Sequence, residues 1–381
     1  MSTIYEQSLL QHKKYKWKLA IHSKVPLDTR QDLSTFYSPW VAAPCLEIQK
    51  NPDAAYDYTW KNNSVAIVSD GTAVLGLGNI GGLAGLPVME GKAILFKNFG
   101  DVDATPIVLA STDPDETIRT VINIAPTYGG INLEDIKAPE CFYIEEQLKE
   151  KLNIPVFHDD QHGTAIVVLA WLINSLQLVH KDIHTVKIIV SGAWAAGIAI
   201  TKLLALYGAT HIIMIDSKGS IYTGRDDVNP YKEALCHLNK DNVKGSLSDV
   251  IEGSDVFIGV SGQVDDLTAQ GIQSMNPDPI IFALSNPSPE VDPQVAKQSG
   301  AAIIATGRSD YPNQLNNVLV FPGFFRGILD GRIVQITDDH KLAAAIAIAQ
   351  YVDNPSVEKI IPDPLDKQVA TIVAQAVMKV G

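Results

Sequence analysis

The sequence predicts a two-domain α/β protein, in which an N-terminal α/β domain precedes a Rossmann-type doubly wound parallel sheet. From about residue 185 onward, short apolar strands alternate with helical stretches, which is the pattern of βαβ units. A chain of 381 residues is also too long to form a single hydrophobic core. We place the domains at residues 1–161 and 162–381, with the last helices packing back across both.

The spacing of apolar residues predicts the individual elements. In the first half, short apolar runs bounded by turn residues predict strands at 64–68, 92–96, 106–110 and 154–157. The same half has an amphipathic helix at 140–152 and a long apolar helix that opens at Gly163. In the second half, we predict strands at 186–190, 211–215, 256–260, 280–284 and 302–304, and helices at 197–207, 341–352 and 366–380.

Composition excludes several classes of partner. The formal net charge is −13 and no basic stripe is present, which argues against nucleic acid and anionic membranes. The polar N-terminus lacks the apolar core of a signal peptide, and the longest apolar run, 164–179, is interrupted by polar residues. Cys45, Cys141 and Cys236 have no paired spacing and are expected to be small buried residues in a reducing compartment. We therefore expect a cytoplasmic protein.

Two acidic pairs predict a metal site. Asp159-Asp160 follows the predicted strand at 154–157, and Glu134-Asp135 lies about two dozen residues earlier. Ligand sites of open α/β sheets lie where strands end. Crowded carboxylates repel one another unless a cation neutralises them, and oxygen ligands suit Mg²⁺ or Mn²⁺. Two solvated acidic turns are the alternative interpretation.

A glycine-rich turn predicts a dinucleotide site with one departure from the usual pattern. Residues 191–197, Ser-Gly-Ala-Trp-Ala-Ala-Gly, lie between a predicted strand and helix, and an acid follows about 20 residues later. The residues expected to bind the cofactor are Gly192, Ala195, Ala196, Gly197 and Asp216. Trp194 replaces the middle glycine of the motif, so the indole either turns away, or weakens or displaces binding, or fills an unused site. The charge of Asp216 favours NAD over NADP.

Longer motifs are distributed over nearly the whole chain. They are Ser23-Lys24-Val25-Pro26, Tyr37-Ser38-Pro39, the stretch 70–81 (DGTAVLGLGNIG), the stretch 85–92 (GLPVMEGK), Leu133-Glu134-Asp135, the stretch 158–164 (HDDQHGT), the stretch 283–287 (ALSNP), and the stretch 305–310 (ATGRSD) leading into Asn316-Asn317. In this order, the motifs resemble those of the small bacterial malic enzymes.

The resemblance implies oxidative decarboxylation of a C4 dicarboxylate, malate, to pyruvate and CO₂ by a homodimer that uses NAD or NADP and Mg²⁺ or Mn²⁺. The residues it implies are Glu134, Asp135 and Asp160 as metal ligands, Lys92 as general base, Tyr37 as general acid, and Asn286 and Asn317 as carboxylate-binding amides. A lysine can act as a base only if burial and a nearby metal lower its pKa. The two asparagines could instead cap turns or helices.

Departures from the family pattern keep a second reaction open. Trp40 and Trp194 each stand at a glycine position of the family, and the loop 261–266 differs from the usual proline/glycine loop. Because the last two departures lie on the redox half of the site, the protein could be a redox-silent oxaloacetate decarboxylase, which needs no hydride acceptor. A non-catalytic relative with a binding or regulatory function is a third possibility. We favour oxidative decarboxylation of malate, because Asp216 and the βαβ spacing are retained.

Overall fold

In the computed structural model, which describes residues 3–74, 76–264, 266–308 and 310–380, the chain folds around two parallel β-sheets. Three residues of the motifs and loop discussed above, Leu75, Asp265 and Ser309, lie outside these described residues. The two sheets confirm the predicted fold class of two α/β units.

The first sheet has four parallel strands in the order β2-β1-β3-β4. They are β1 (Ser64–Ser69), β2 (Asp103–Val108), β3 (Gly130–Leu133) and β4 (Val156–His158). All six residues of the central strand β1 are buried. The carboxyl ends of β3 and β4 are neighbours at one edge of the sheet, and both lead into acidic residues.

The helices of the first unit differ greatly in burial. They are α1 (Ile4–Tyr15), α2 (Arg30–Phe36), α3 (Ala42–Lys50), α4 (Ala55–Tyr58), α5 (Gly82–Gly100), α6 (Pro114–Ile124), α7 (Glu140–Lys151) and α8 (Asp159–Leu178), with short 3-10 turns at Pro52–Ala54, Trp60–Asn63 and Ala125–Thr127. Helices α1 to α4 contain no buried residue. Helices α5 and α8 supply much of the core.

The strand predicted at 92–96 is wrong, because these residues belong to α5. The buried positions Met89, Ala93 and Phe96 recur with the spacing of a helix, so they form one face that packs on the sheet. A run of four apolar residues does not distinguish a buried strand from a turn of buried helix. Strand β3 was not predicted.

Helix α8 begins at Asp159, four residues before the predicted start at Gly163. Gly163 lies one turn later, where a Cβ atom would overlap with the carboxylate of Asp159. The stretch from Thr164 to Leu172 is buried, as the prediction of a buried apolar helix requires. The predicted domain boundary at residue 161 falls inside the first turn of α8 and stays a prediction.

The second sheet has six strands in the order β10-β9-β8-β5-β6-β7, and all pairings except β6 with β7 are parallel. They are β5 (Lys187–Ser191), β6 (His211–Asp216), β7 (Gly219–Ser220), β8 (Val256–Gly259), β9 (Ile280–Ala283) and β10 (Ile303–Thr306). The strand order reverses at β5, which lies between β6 and β8. Ligands of doubly wound sheets bind at such a reversal.

Eight helices of the second unit lie in the described part of the chain. They are α9 (Ala195–Tyr207), α10 (Pro230–Glu233), α11 (Leu247–Val250), α12 (Ala269–Ser274), α13 (Pro293–Gln298), α14 (Phe321–Asp330), α15 (Asp338–Gln350) and α16 (Gln368–Met378), with 3-10 turns at Cys236–Leu238 and Asn317–Leu319. Helices α14 and α16 pack on α5, and α15 packs on α8. Helix α16 thus contacts the first unit, and the predicted return of the terminal helices across both domains stays a prediction.

Two expectations from composition can be compared with the structure. Within the described ranges, no helix combines the length and the apolar character needed to cross a membrane. Cys45, Cys141 and Cys236 are free thiols. Cys141 and Cys236 are buried, as expected, but Cys45 is exposed because it lies on α3, which has no buried residue.

Candidate active site

Three carboxylates converge at the carboxyl edge of the first sheet. Glu134 and Asp135 follow β3 directly, and Asp160 lies in the first turn of α8, just after β4. Because β3 and β4 are adjacent and parallel, one oxygen from each of the three side chains lies within 4.8 Å of the others. The Oδ2 atom of Asp135 is buried and has no hydrogen-bond partner. Hard oxygen donors with one unsatisfied buried atom fit a Mg²⁺ or Mn²⁺ ion.

The electrostatics of these carboxylates favour a bound cation. Burial, together with repulsion from neighbouring carboxylates, raises the pKa values of Glu134, Asp135 and Asp160 above their usual range. The Oδ2 atom of Asp160 accepts a hydrogen bond from the backbone N–H of Asp135 at 2.8 Å. Asp135 has the left-handed φ of 53°, which a short polar side chain tolerates better than most residues. The carboxylates are therefore held together despite their repulsion.

Lys92 reaches the same centre from α5. Its Nζ donates to Oε1 of Glu134 at 2.6 Å and, more closely still, to Oδ2 of Asp159. It also lies 4.3 Å from the ring centroid of Phe321. Burial lowers the pKa of Lys92, but the charges of Asp159 and Glu134 more than offset this effect, so the pKa lies above its usual range. Without a metal, Lys92 is thus a cation.

Asp159 belongs to one of the two acidic pairs from which the sequence predicts a metal site, but the resemblance gave it no role as a ligand. Its side chain is fully buried, and its Oδ2 accepts from Nδ2 of Asn317 at 3.1 Å as well as from Lys92. The only sequence signal was its position beside Asp160, which does not reveal a partner 67 residues away. Asn317 thus joins the centre, and its Nδ2 also lies 3.2 Å from Oγ1 of Thr164.

Asn286 lies in the turn after β9 and is not bonded to the carboxylates in the described part of the structure. Its Nδ2 donates to the backbone oxygen of Gly307 at 3.2 Å. Its backbone lies against the loop that carries Gly76. The turn interpretation of Asn286 therefore describes its present contacts, while its substrate-binding function stays a prediction.

Tyr37 does not join the other predicted residues within one chain. It ends α2, its side chain is 69% exposed, and no hydrogen bond of its hydroxyl group is found among the described residues. Trp40, three residues later, is also exposed, and its φ is not positive. The three carboxylates, Lys92 and Asn317 come together without Tyr37.

The glycine-rich turn has the shape of a phosphate site. Gly192 has a φ of 110°, and a Cβ there would lie 2.6 Å from the backbone of Val260. A Cβ at Gly197 would overlap with the oxygen of Gly192. Ala195 and Ala196 form the first turn of α9, where free backbone N–H groups and the helix dipole favour an anion.

Trp194 precedes α9, and its ring lies near Lys232, which pairs with Asp216. Its side chain is 54% exposed, and the Nζ of Lys232 lies 5.4 Å from its ring centroid. The three possibilities that the sequence left open for the indole stay predictions. The residues of the turn fit the pyrophosphate of a dinucleotide.

Asp216 ends β6, where a ribose-binding acid is expected, but two cations already pair with it. Its carboxylate accepts from Nζ of Lys232 at 2.6 Å and from Nη2 of Arg225 at 2.8 Å. Burial raises the pKa of Asp216, but these two hydrogen bonds bring it below its ordinary value. No spacing rule predicted either partner. Because its charge is balanced, Asp216 does not by itself distinguish NAD from NADP.

A Rossmann-type unit joined to a smaller parallel-sheet unit, with a buried carboxylate centre, is the arrangement of a two-domain α/β dehydrogenase. The chain belongs to the malic enzyme family. Residues 16–149 match the family model of the malic enzyme N-terminal domain, and residues 161–381 match that of the malic enzyme NAD binding domain. The resemblance found in the sequence motifs is therefore confirmed.

Individual relatives are similar over most of this chain. The bifunctional malic/malolactic enzyme of Bacillus subtilis (strain 168) is 54% identical, with 99% of this chain and 93% of that protein covered. The NADP-dependent malic enzyme of Escherichia coli (strain K12) is 50% identical over 95% of this chain, which spans 50% of that longer protein. The crystal structure of the NAD-dependent malic enzyme of Thermotoga maritima has a TM-score of 0.94 and 45% identity, with 97% and 98% of the two chains covered.

Proposed function

We propose that the protein catalyses the oxidative decarboxylation of malate to pyruvate and CO₂, with NAD or NADP and Mg²⁺ or Mn²⁺. The observation that carries this proposal is the buried centre in which Glu134, Asp135 and Asp160 meet beside Lys92. The names of the relatives, which include NAD-dependent and NADP-dependent malic enzymes, support the reaction class.

The carboxylates of Glu134, Asp135 and Asp160 would hold the metal. When bound, a divalent cation polarises the C2 oxygen of malate and stabilises the negative charge left after CO₂ departs. When Glu134 binds the metal, its carboxylate stabilises the ammonium group of Lys92 less. Burial then favours the neutral amine form of Lys92. Lys92 in that form can accept the proton of the C2 hydroxyl group.

Asp159 and Asn317 position Lys92. The Asp159 carboxylate joins the ammonium of Lys92 to the amide of Asn317, and all three side chains lie at the edge of the first sheet. We propose that Asn317 and Asn286 present their amide groups to the substrate carboxylates. For Asn286 this requires that its side chain release the backbone oxygen of Gly307.

The redox half of the site is formed by the turn at 192–197 and Asp216. We propose that the N–H groups of Gly192, Ala195, Ala196 and Gly197 bind the pyrophosphate and that Asp216 binds a ribose hydroxyl. A bound dinucleotide supplies the hydride acceptor. The position of Trp194 near Lys232 does not by itself favour the redox-silent alternative.

We further propose that Tyr37 acts across the interface of a homodimer. The N-terminal segment, residues 3–50, exposes many large apolar side chains, among them Leu9, Trp17, Ile21 and Phe36. Large exposed apolar surfaces indicate an interaction site. We propose that a second copy of the chain covers this surface. Each site lacks Tyr37 and each N-terminal segment carries it, and a two-fold axis brings the segment of one copy to the site of the other.

One assay tests the reaction and its alternative. Purified protein is incubated with Mn²⁺, malate and either NAD or NADP, and cofactor reduction is followed by absorbance. We expect reduction that requires both malate and the metal. Pyruvate formation from oxaloacetate, without any cofactor reduction from malate, would instead establish the redox-silent decarboxylase. A cytoplasmic location, predicted from the cysteines and the polar N-terminus, remains a prediction.

A further inference from the structure

A cavity of about 530 Å³ lies among helices α7, α8, α9 and α15. Its walls include neither the three carboxylates nor the phosphate turn, so it is a separate cavity from the proposed catalytic site. Its volume is within the range of small-molecule sites, roughly 300–1,000 Å³. Nothing in the proposed reaction uses it.

One side of the cavity is apolar. Phe142 and Tyr231 stack with their ring centroids 4.5 Å apart, and Leu203, Leu235 and Leu238 face the same space. An apolar wall of this kind suits an aliphatic or aromatic body that leaves water on binding. The hydroxyl group of Tyr231 donates to Glu146 at 3.1 Å, so the polar end of this stack is already satisfied.

Three lysines also line the cavity. Lys149 pairs with Glu145 at 2.7 Å and Lys341 pairs with Asp338 at 2.8 Å. Lys202 is exposed, its Nζ lies 5.9 Å from the ring centroid of Tyr231, and it has no carboxylate partner among the residues that the structure describes. Burial and the neighbouring charge of Lys149 lower the pKa of Lys341. An anion in the cavity would supply the missing partner of Lys202 and reduce the repulsion between the other two lysines.

The same side chains touch the helix that carries a proposed metal ligand. The carboxylate of Glu145 accepts from Nε2 of His162 at 2.7 Å and from Nε2 of Gln161 at 3.2 Å. Both donors lie in the first turns of α8, directly after Asp160. A ligand that separates Lys149 from Glu145 therefore changes the hydrogen bonds between Glu145 and the first turns of α8.

We propose that this cavity is an effector site for an organic anion with an apolar body, and that its occupancy changes the affinity of the carboxylate centre for divalent cations. The coupling passes from Lys149 through Glu145 and His162 to Asp160. This inference rests on the proposed metal site, and by linkage the metal must change the affinity for the anion by the same factor.

The probe is 8-anilino-1-naphthalenesulfonate, which combines an aromatic body with one sulfonate and fluoresces in apolar surroundings. It is titrated into the full chain in the presence of saturating NAD, which occupies the dinucleotide crevice. We expect one probe per chain, binding about 10-fold more weakly to Lys202→Glu, because one lysine of the anion site then repels the sulfonate. Lys240→Glu, an exposed lysine that does not line the cavity, is the matched control and should bind as the native protein does.

The second arm measures Mn²⁺ affinity by calorimetry with and without the probe. We expect a change of about 5-fold in the native protein and in Lys240→Glu, and no change in Lys202→Glu at the same probe concentration. Equal probe binding in the two variants, or a Mn²⁺ affinity that the probe leaves unchanged, would overturn the inference. If Mn²⁺ fails to bind even without the probe, the proposed metal site itself is refuted, and the effector inference with it.

Discussion

The Nζ atom of Lys92 lies 2.6 Å from Oε1 of Glu134, and both side chains are more than nine-tenths buried. A buried ion pair is stable only where further hydrogen bonds satisfy its remaining polar atoms. Here Asn132 donates to the other oxygen of Glu134 at 2.9 Å, and Asp159 accepts from Lys92. The pair links the proposed base to a proposed metal ligand.

Replacement of Lys92 by Met should lower kcat with malate by about 10³-fold, because a general acid–base group contributes roughly 10² to 10⁴. The variant should also be less stable than the native protein without metal, since buried Glu134 and Asp159 lose their cation. Steady-state kinetics at saturating malate check the first effect. Lys97→Met, on an exposed face of the same helix, serves as the control, and a Lys92→Met enzyme within about 3-fold of native kcat would refute the base assignment.

Two variants that are each inactive alone should form an active mixed dimer if Tyr37 acts across the dimer interface. Chains carrying Tyr37→Phe and chains carrying Lys92→Met are co-expressed in equal amounts. About half of the dimers are then mixed, and each mixed dimer has one intact site, so about a quarter of native activity is expected. Were both residues to act within one chain, no mixed dimer would contain an intact site. Activity no higher than the sum of the two variants alone would therefore exclude the exchange.

Removal of the Trp194 indole should change dinucleotide affinity little. The ring is 54% exposed and its centroid lies 5.4 Å from Nζ of Lys232, so its loss removes little buried contact from the turn at 192–197. We expect the Kd for NAD of Trp194→Gly to remain within about 3-fold of native, or less than roughly 1 kcal/mol. Binding that becomes 10-fold tighter on fluorescence titration would show that the indole obstructs the site after all.

Asp216→Asn should shift cofactor preference toward NADP. The substitution leaves Lys232 without the carboxylate that balances it, while Arg225 keeps its pair with Asp227, and Lys232 then attracts the 2′-phosphate. We expect the ratio of kcat/KM for NADP to that for NAD to rise by about 10-fold, comparable to one charge-assisted hydrogen bond. Asp353→Asn, an exposed position in the C-terminal region, controls for the change in net charge. An unchanged ratio would mean that this cluster does not contact the ribose.

Much of the second unit could be predicted, because parallel strands that are buried on both faces are continuous apolar runs. The strand predicted at 186–190 is observed at Lys187–Ser191, and that at 211–215 is observed at His211–Asp216. A metal site near the two acidic pairs also followed from local position, whereas the choice of Glu134, Asp135 and Asp160 as its ligands came from the resemblance, because strand β3 was not predicted.

What could not be predicted depends on partners that are distant in sequence. The residues 92–96 form helix because their apolar positions continue a longer helical face, which a five-residue window does not contain. Asp159 and Arg225 became recognisable only through the side chains that they contact. Tyr37 was assigned from its motif, but a motif does not show whether the residue acts in the site of its own chain or in that of a second copy.

The most direct test of the metal centre is a Mn²⁺ titration of the native protein and of Asp135→Asn, followed by electron paramagnetic resonance. We expect one bound Mn²⁺ per native chain, and an affinity at least 10-fold weaker in Asp135→Asn, because a buried carboxylate oxygen with no other partner is lost. Asp353→Asn should bind as the native protein does. Equal Mn²⁺ binding by all three proteins would contradict a centre formed by Glu134, Asp135 and Asp160.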